Sequence, residues 1–153
     1  MLYISGVSTI IMFVVVMFWA NPMIDKQKGF GVLSLQLAFS KEYGISIVDS
    51  WGEGGVERFT HYIISDYIYA LSYSFFLALL LFQLKSRIYF LPLVAGLFDW
   101  VENSMEILFT HDMIHFSTYA FFLHSLIASL KWLIVPIVFY NIFKCAKEGN
   151  YAR

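Results

Sequence analysis

Four long apolar stretches constrain this chain more than any other feature. They run over residues 2–20, 59–84, 88–109 and 116–143, and each is close to or above the ~20 residues that a helix needs to cross a bilayer. They explain why 59% of the 153 residues are hydrophobic, against roughly 45–50% in ordinary soluble domains. The sequence therefore predicts a single transmembrane domain over residues 1–153, an all-α integral membrane four-helix up-down bundle.

The connections between the stretches predict how the helices are arranged. Residues 83–87 and 110–115 are short enough to make the helices on either side antiparallel neighbours. An even number of spans places both chain ends on one side of the membrane. That side carries five Lys and Arg residues and the other side four, none of them in the last loop. Because basic residues concentrate in cytoplasmic loops, we predict that both termini are cytoplasmic.

Only the connection between the first two spans, residues 21–58, is long enough to hold structure outside the bilayer. Apolar and polar residues alternate over 32–39, which is typical of a half-buried strand. Ser40 is a candidate N-cap for a short helix through residues 45–48, and the glycines of 51–55 indicate a turn. Two interpretations of the loop stay open: a lid over the bundle, or an amphipathic segment that lies in the membrane interface.

Polar residues inside the apolar stretches indicate a buried site. The set consists of Asp66 in the second span, Asp99, Glu102, Asn103 and Glu106 in the third, and His124 and Lys131 in the fourth. A charged side chain at the middle of a bilayer costs about 2.5–3.5 kcal/mol, so these groups should face the protein interior. The third-span residues recur at helical spacing and share one face. With a rise of 1.5 Å per residue, the members of this set other than Glu106 lie within ~9 Å of the span midpoints.

These depths predict a common ligand or proton site. Its members are Asp66, Tyr69, Asp99, Glu102, Asn103, His124 and Lys131. Lys131 is expected to pair with Asp99, and His124 is a candidate proton acceptor. Four carboxylates with one lysine and one histidine cannot all be ionised in a medium of low dielectric constant. The alternative is that the polar residues only hold the helices in register, and no catalytic residue is assigned.

Histidines near the end of the third span raise the question of a metal. His111-Asp112-x-x-His115 has the i, i+4 histidine spacing of a helical zinc site. The motif lies at a span boundary, and no third ligand follows in sequence, although Glu106 or His61 could approach. We therefore expect interfacial histidines, with no metal and no cofactor. The net charge of −1 excludes nucleic acid as a partner.

Three short motifs resemble those of a known group of proteins. Trp51-Gly52-x-x-Gly55, Asp66-x-x-Tyr69 and Asp99-x-x-Glu102-Asn103 resemble a group of uncharacterised small bacterial four-helix membrane proteins, which carry a glycine-rich turn and a D-x-x-E-N signature. The resemblance covers residues 32–110 and implies a bacterial inner-membrane protein with a shared site around these acids. The chain departs from the group's pattern at Val56, in place of an arginine, and at Ala70, in place of a proline.

Three functions are consistent with this sequence. The first is a membrane protein whose buried polar site binds a small ligand or carries protons or cations. The second is a membrane enzyme that performs acid/base chemistry on a lipid-like substrate, an architecture shared with sterol-isomerase-like proteins, to which no motif can be matched. The third is a non-catalytic membrane subunit or assembly factor. The expected partners are the lipid bilayer, a small lipid-like ligand or cation, and, left open, further copies of the chain.

Overall fold

The computed structural model describes residues 2–20, 31–52 and 54–151, and within these ranges it is all-α, with six helices and no strand. The helices are α1 Leu2–Val14, α2 Val32–Gln36, α3 Lys41–Asp49, α4 Gly55–Gln83, α5 Leu91–His111 and α6 Thr118–Tyr151. A π-helical segment, Val15–Ala20, continues α1. The all-α class is therefore confirmed. Residues 21–30, where the predicted loop begins, lie outside the described residues.

The long helices pack as antiparallel neighbours, as the short connections predict. Between α4 and α5, Asp66 contacts Asn103 whereas Tyr73 contacts Asp99, so the residue number rises along one helix as it falls along the other. The same order holds between α5 and α6, where Glu106 contacts His124 and Asp99 contacts Lys131. It holds again between α1 and α4, which are joined by a hydrogen bond of 3.0 Å between the Ser8 and Ser72 hydroxyls and by Gly6 against Phe76.

Two of these helices are long and apolar enough to cross a membrane. They are α4 and Thr118–Glu148 of α6, while Leu2–Phe18 forms a shorter apolar helix. α5 is of spanning length, at 21 residues or about 31 Å, but it carries three acidic residues. Large apolar side chains such as Ile64, Leu97 and Leu133 are more than half exposed.

The strand predicted over residues 32–39 is wrong. The first part of this segment is α2, in which Val32, Leu35 and Gln36 are buried whereas Leu33 and Leu37 are exposed. Burial at i, i+3 and i+4 follows the helical period and not the alternation of a strand. The alternating leucines were misleading because Gln36, which lies between two of them, is buried and contacts α6: its Oε1 accepts a hydrogen bond of 3.2 Å from Trp132 Nε1.

The short helix and the turn that follow were predicted correctly. Ser40 caps α3, its hydroxyl oxygen accepting a hydrogen bond of 3.4 Å from the Tyr43 amide. Gly52 and Gly54 have φ values of 74° and 69°, the left-handed region that glycine adopts at little cost. The turn returns the chain to α4 with the buried Trp51 ring against Phe59, at 4.9 Å between ring centroids.

α2 and α3 cover the end of the helical array where α4 and α6 begin and α5 ends. Leu35, Ile47 and Trp51 are fully buried there, together with Phe109 of α5 and Phe121 of α6. These residues belong to the main hydrophobic core of the described chain. The polar site lies directly beneath it, because Asp66 follows Ile63 by one turn of α4 and Glu106 precedes Phe109 by one turn of α5.

Candidate functional site: a buried polar layer beside an apolar cavity

One row of α5 polar side chains faces α4. Asn103 Nδ2 donates a hydrogen bond of 3.0 Å to Asp66 Oδ2, and the Tyr73 hydroxyl donates one of 3.0 Å to Asp99 Oδ2. Asp66, Asp99 and Asn103 are all buried. Asp99 and Asn103 are four residues apart, so their side chains lie one above the other on the same face of the helix.

A second row of α5 faces α6. Lys131 Nζ donates a hydrogen bond of 2.8 Å to Asp99 Oδ1 and lies 2.8 Å from Glu102 Oε2. One turn away, His124 Nε2 and Glu106 Oε1 are 3.2 Å apart. Glu102, Glu106, His124 and Lys131 are each at most 5% exposed. A single lysine therefore serves two carboxylates, one in each row.

We call the two rows and their partners the polar layer; it consists of Asp66, Asp99, Glu102, Asn103, Glu106, His124 and Lys131. The structure brings six of the seven candidate residues into direct contact with another member of this layer. The Lys131–Asp99 ion pair expected from the depth estimate is present. Tyr69 differs, since it contacts rings and not carboxylates: its ring centroid lies 5.2 Å from that of Tyr73 and 6.2 Å from that of Phe13. The role of each residue as a ligand or proton site stays a prediction.

A cavity of about 830 Å³ lies against the α4-facing side of the layer. Asp66, Asp99 and Lys131 are the charged residues of its lining, and Tyr62, Tyr69 and Tyr73 line it as well. The other lining residues come from four parts of the chain: Thr9, Phe13, Val16 and Met17 from α1 and its π-helical extension, Gly31, Val32, Leu33 and Gln36 around α2, Phe76 and Leu77 from α4, and Trp132, Val135 and Phe139 from α6. The site thus combines a few charged and phenolic groups with walls that are mostly hydrocarbon.

Sequence reasoning missed part of this site. Tyr62 lies four residues before Asp66 on the same helix face, so its position was readable. Glu106 belongs to the recognised α5 face but was left out of the candidate site, although it contacts His124. Gln36 and Trp132 line the cavity as a hydrogen-bonded pair. No local signal could have found that pair, because it depends on α2, which was read as a strand.

The zinc-like histidine spacing does not form a helical site. α5 ends at His111, so His115 is not on the same helix. His111 Nε2 lies 3.4 Å from the Thr60 hydroxyl, whereas His115 Nδ1 lies 2.8 Å from Asp112 Oδ1 and is largely exposed. The contact with His115 holds the pKa of Asp112 below its ordinary value. These residues behave as surface groups at a helix end.

Comparison of the chain with family models, with curated proteins and with solved structures finds no match. The helices, the polar layer and the cavity are therefore the observations that bear on the class of protein. The resemblance based on the glycine-rich turn and the D-x-x-E-N signature stays an expectation.

Proposed function

We propose that this chain is a membrane-spanning four-helix protein that binds a small amphipathic molecule in the cavity beside Asp66 and Asp99. The observation that carries the proposal is the composition of the lining, in which two carboxylates, a lysine and three tyrosines lie among mostly apolar side chains. Binding pockets for small molecules have this composition, a mostly apolar wall with a few convergent polar groups.

Four spans are supported by the distribution of polar and apolar residues. α4 and α6 are long and apolar enough to cross a bilayer. The acids of α5 are buried against its neighbours, while large side chains such as Leu97 and Leu108 are exposed. Acids that face inward and hydrocarbon that faces outward are what a spanning helix in a bundle requires. The α1 segment with its π-helical extension would supply the remaining span.

The charges at the cavity favour a particular kind of head group. Asp66 receives one hydrogen bond, from Asn103, and its Oδ1 has no partner among the described residues. Asp99 is paired with Lys131, but that lysine also lies 2.8 Å from Glu102. The cavity lining therefore holds two acids and a lysine that is shared with a third acid. A head group that donates hydrogen bonds, such as an amine or a hydroxyl, fits these carboxyl groups better than an anionic head group does.

Equilibrium binding of radiolabelled dodecylamine, dodecanol and dodecanoate to the protein in nanodiscs, corrected for empty nanodiscs, tests the proposal. We expect the amine and the alcohol to bind and the carboxylate not to bind. Asp66→Asn should weaken amine binding by about tenfold, because the complex loses one charge-assisted hydrogen bond. Leu77→Trp should weaken the binding of both the amine and the alcohol, because the larger ring fills an apolar part of the cavity.

Asp49→Asn is the matched control, since it neutralises an exposed carboxylate on α3. It should leave binding unchanged. Equal affinity of the wild type, Asp66→Asn and Leu77→Trp for dodecylamine would contradict the proposal. It would favour a non-catalytic subunit whose polar residues serve only to join helices.

Acid/base chemistry on a lipid-like substrate is the second candidate. It is favoured by the Tyr73 hydroxyl, which donates to Asp99 beside the unpartnered oxygen of Asp66 at the same cavity. A proton donor and a proton acceptor at one apolar pocket are the minimum for proton transfer. Asp99→Asn would then abolish turnover of a bound lipid while leaving its affinity nearly unchanged, as followed by mass spectrometry of extracted lipids.

The proposed orientation places both termini in the cytoplasm of a bacterium. Accessibility labelling of single cysteines in a Cys145→Ser background tests it. Cysteine at the exposed Glu57 should react with an impermeant maleimide in intact cells, whereas cysteine at the exposed Gln83 should react only after the membrane is opened. The reverse pattern would invert the topology.

A further inference from the structure

We propose that Glu102, Glu106 and His124 bind a divalent transition-metal ion such as Zn²⁺ between α5 and α6, at a site separate from the amphiphile cavity. None of the three residues lines that cavity. The proposal therefore does not depend on the ligand that the cavity binds.

The donor atoms are close enough to share one ion. One ligand atom from each residue lies within 4.8 Å of the other two. A point at the centre of such a triangle is at most about 2.8 Å from each atom, and small side-chain rotations reach the 2.0–2.2 Å of zinc bonds to nitrogen and oxygen. The 3.2 Å between His124 Nε2 and Glu106 Oε1 is also close to the ~3.3 Å between adjacent ligands of a tetrahedral zinc ion.

Unpartnered atoms at the same place independently indicate a ligand. Glu102 Oε1, Glu106 Oε2 and His124 Nδ1 are buried and have no hydrogen-bond partner among the described residues. The three side chains are 0%, 1% and 2% exposed. Each buried polar group without a hydrogen-bond partner lowers the stability of a protein by about 1–3 kcal/mol. An ion bound by both carboxylates would remove this cost for the two glutamate oxygens.

The charge of the layer favours a divalent cation. Four buried acids, Asp66, Asp99, Glu102 and Glu106, face one lysine. Lys131 already lies within 2.8 Å of Asp99 and of Glu102, and among the described residues Glu106 is paired only with His124. A mixed set of two carboxylates and one imidazole suits Zn²⁺ and other first-row ions better than Mg²⁺ or Ca²⁺, which prefer oxygen ligands alone. Three protein ligands leave one position for water.

Metal content and Co²⁺ spectroscopy of the purified full-length protein test the site. After loading with Zn²⁺ and removal of the excess, we expect about one ion per chain by mass spectrometry, and a higher melting temperature than for the chelator-treated protein. Co²⁺ in the same site should give the visible absorption bands of a four-coordinate ion. Glu106→Gln and His124→Gln should each lower affinity at least tenfold, because they remove a ligand while keeping the side-chain size.

His111→Ala combined with His115→Ala is the matched control, since it removes the exposed histidines that could bind zinc at the surface. This variant should retain the ion and the Co²⁺ spectrum. Loss of the ion in this variant, or wild-type protein that holds far less than one ion and shows no Co²⁺ band, would overturn the proposal. Circular dichroism of the Glu106→Gln and His124→Gln proteins separates loss of a ligand from loss of the fold.

Discussion

Replacement of Lys131 by methionine is the most informative perturbation of the polar layer. Lys131 Nζ lies 2.8 Å from Asp99 Oδ1 and 2.8 Å from Glu102 Oε2, and the three side chains are at most 7% exposed. Asp99 keeps the Tyr73 hydroxyl after the replacement. Glu102 keeps no hydrogen-bond donor among the described residues. Most of the loss of stability should therefore come from the unpaired carboxylate of Glu102.

Removing one partner of a buried ion pair costs about 3–5 kcal/mol, because the other charge stays buried without compensation. We expect Lys131→Met to lower the free energy of unfolding by this amount at neutral pH. The difference from the wild type should shrink as the pH falls, since protonation of the acids removes the uncompensated charge. Glu102→Gln added to Lys131→Met should restore part of the stability, because it removes one of the two unpaired charges.

Equilibrium unfolding in mixed detergent–dodecyl sulfate micelles, followed by tryptophan fluorescence, measures these free energies. Glu57→Gln is a suitable control because it changes an exposed acid near the start of α4. A Lys131→Met protein within about 0.5 kcal/mol of the wild type, the range of ordinary surface substitutions, would refute the conclusion that this lysine compensates buried carboxylates.

Two glycine replacements test the close contacts that shape the site, by the same unfolding assay. A Cβ at Gly44 would overlap the buried Phe121 ring, so Gly44→Ala should destabilise the α2–α3 segment by about 1–3 kcal/mol. Helix propensity alone would make the variant more stable. A stability equal to or higher than that of the wild type would therefore contradict this contact. A Cβ at Gly96 would lie 2.7 Å from Ser74 Cβ, so Gly96→Ala should separate α4 from α5 at a similar cost, and Ser74→Gly in the same chain should recover stability. Failure of that second change to recover any stability would show that the two helices do not meet there.

Local patterns in the sequence were sufficient to predict the long helices and most members of the polar layer. The spacing of Asp99, Glu102, Asn103 and Glu106 identified one face of α5 correctly, because helical periodicity is a property of the chain alone. The cavity could not be predicted in this way, since Gln36 lines it in contact with Trp132, which is 96 positions later in the chain.

The spacing of the four α5 residues also could not show that they form two rows, which contact different helices. Residues 99 and 103 form one i, i+4 row and residues 102 and 106 form another, and the two rows are separated by roughly 60° around the helix. Because α5 packs between α4 and α6, one row contacts Asp66 and Tyr73 while the other contacts Lys131 and His124. A single polar stripe therefore supplies two sites of different chemistry. Lys131 joins them, because it is the cation that contacts both rows, and this is why its removal should disturb the whole layer and not one site alone.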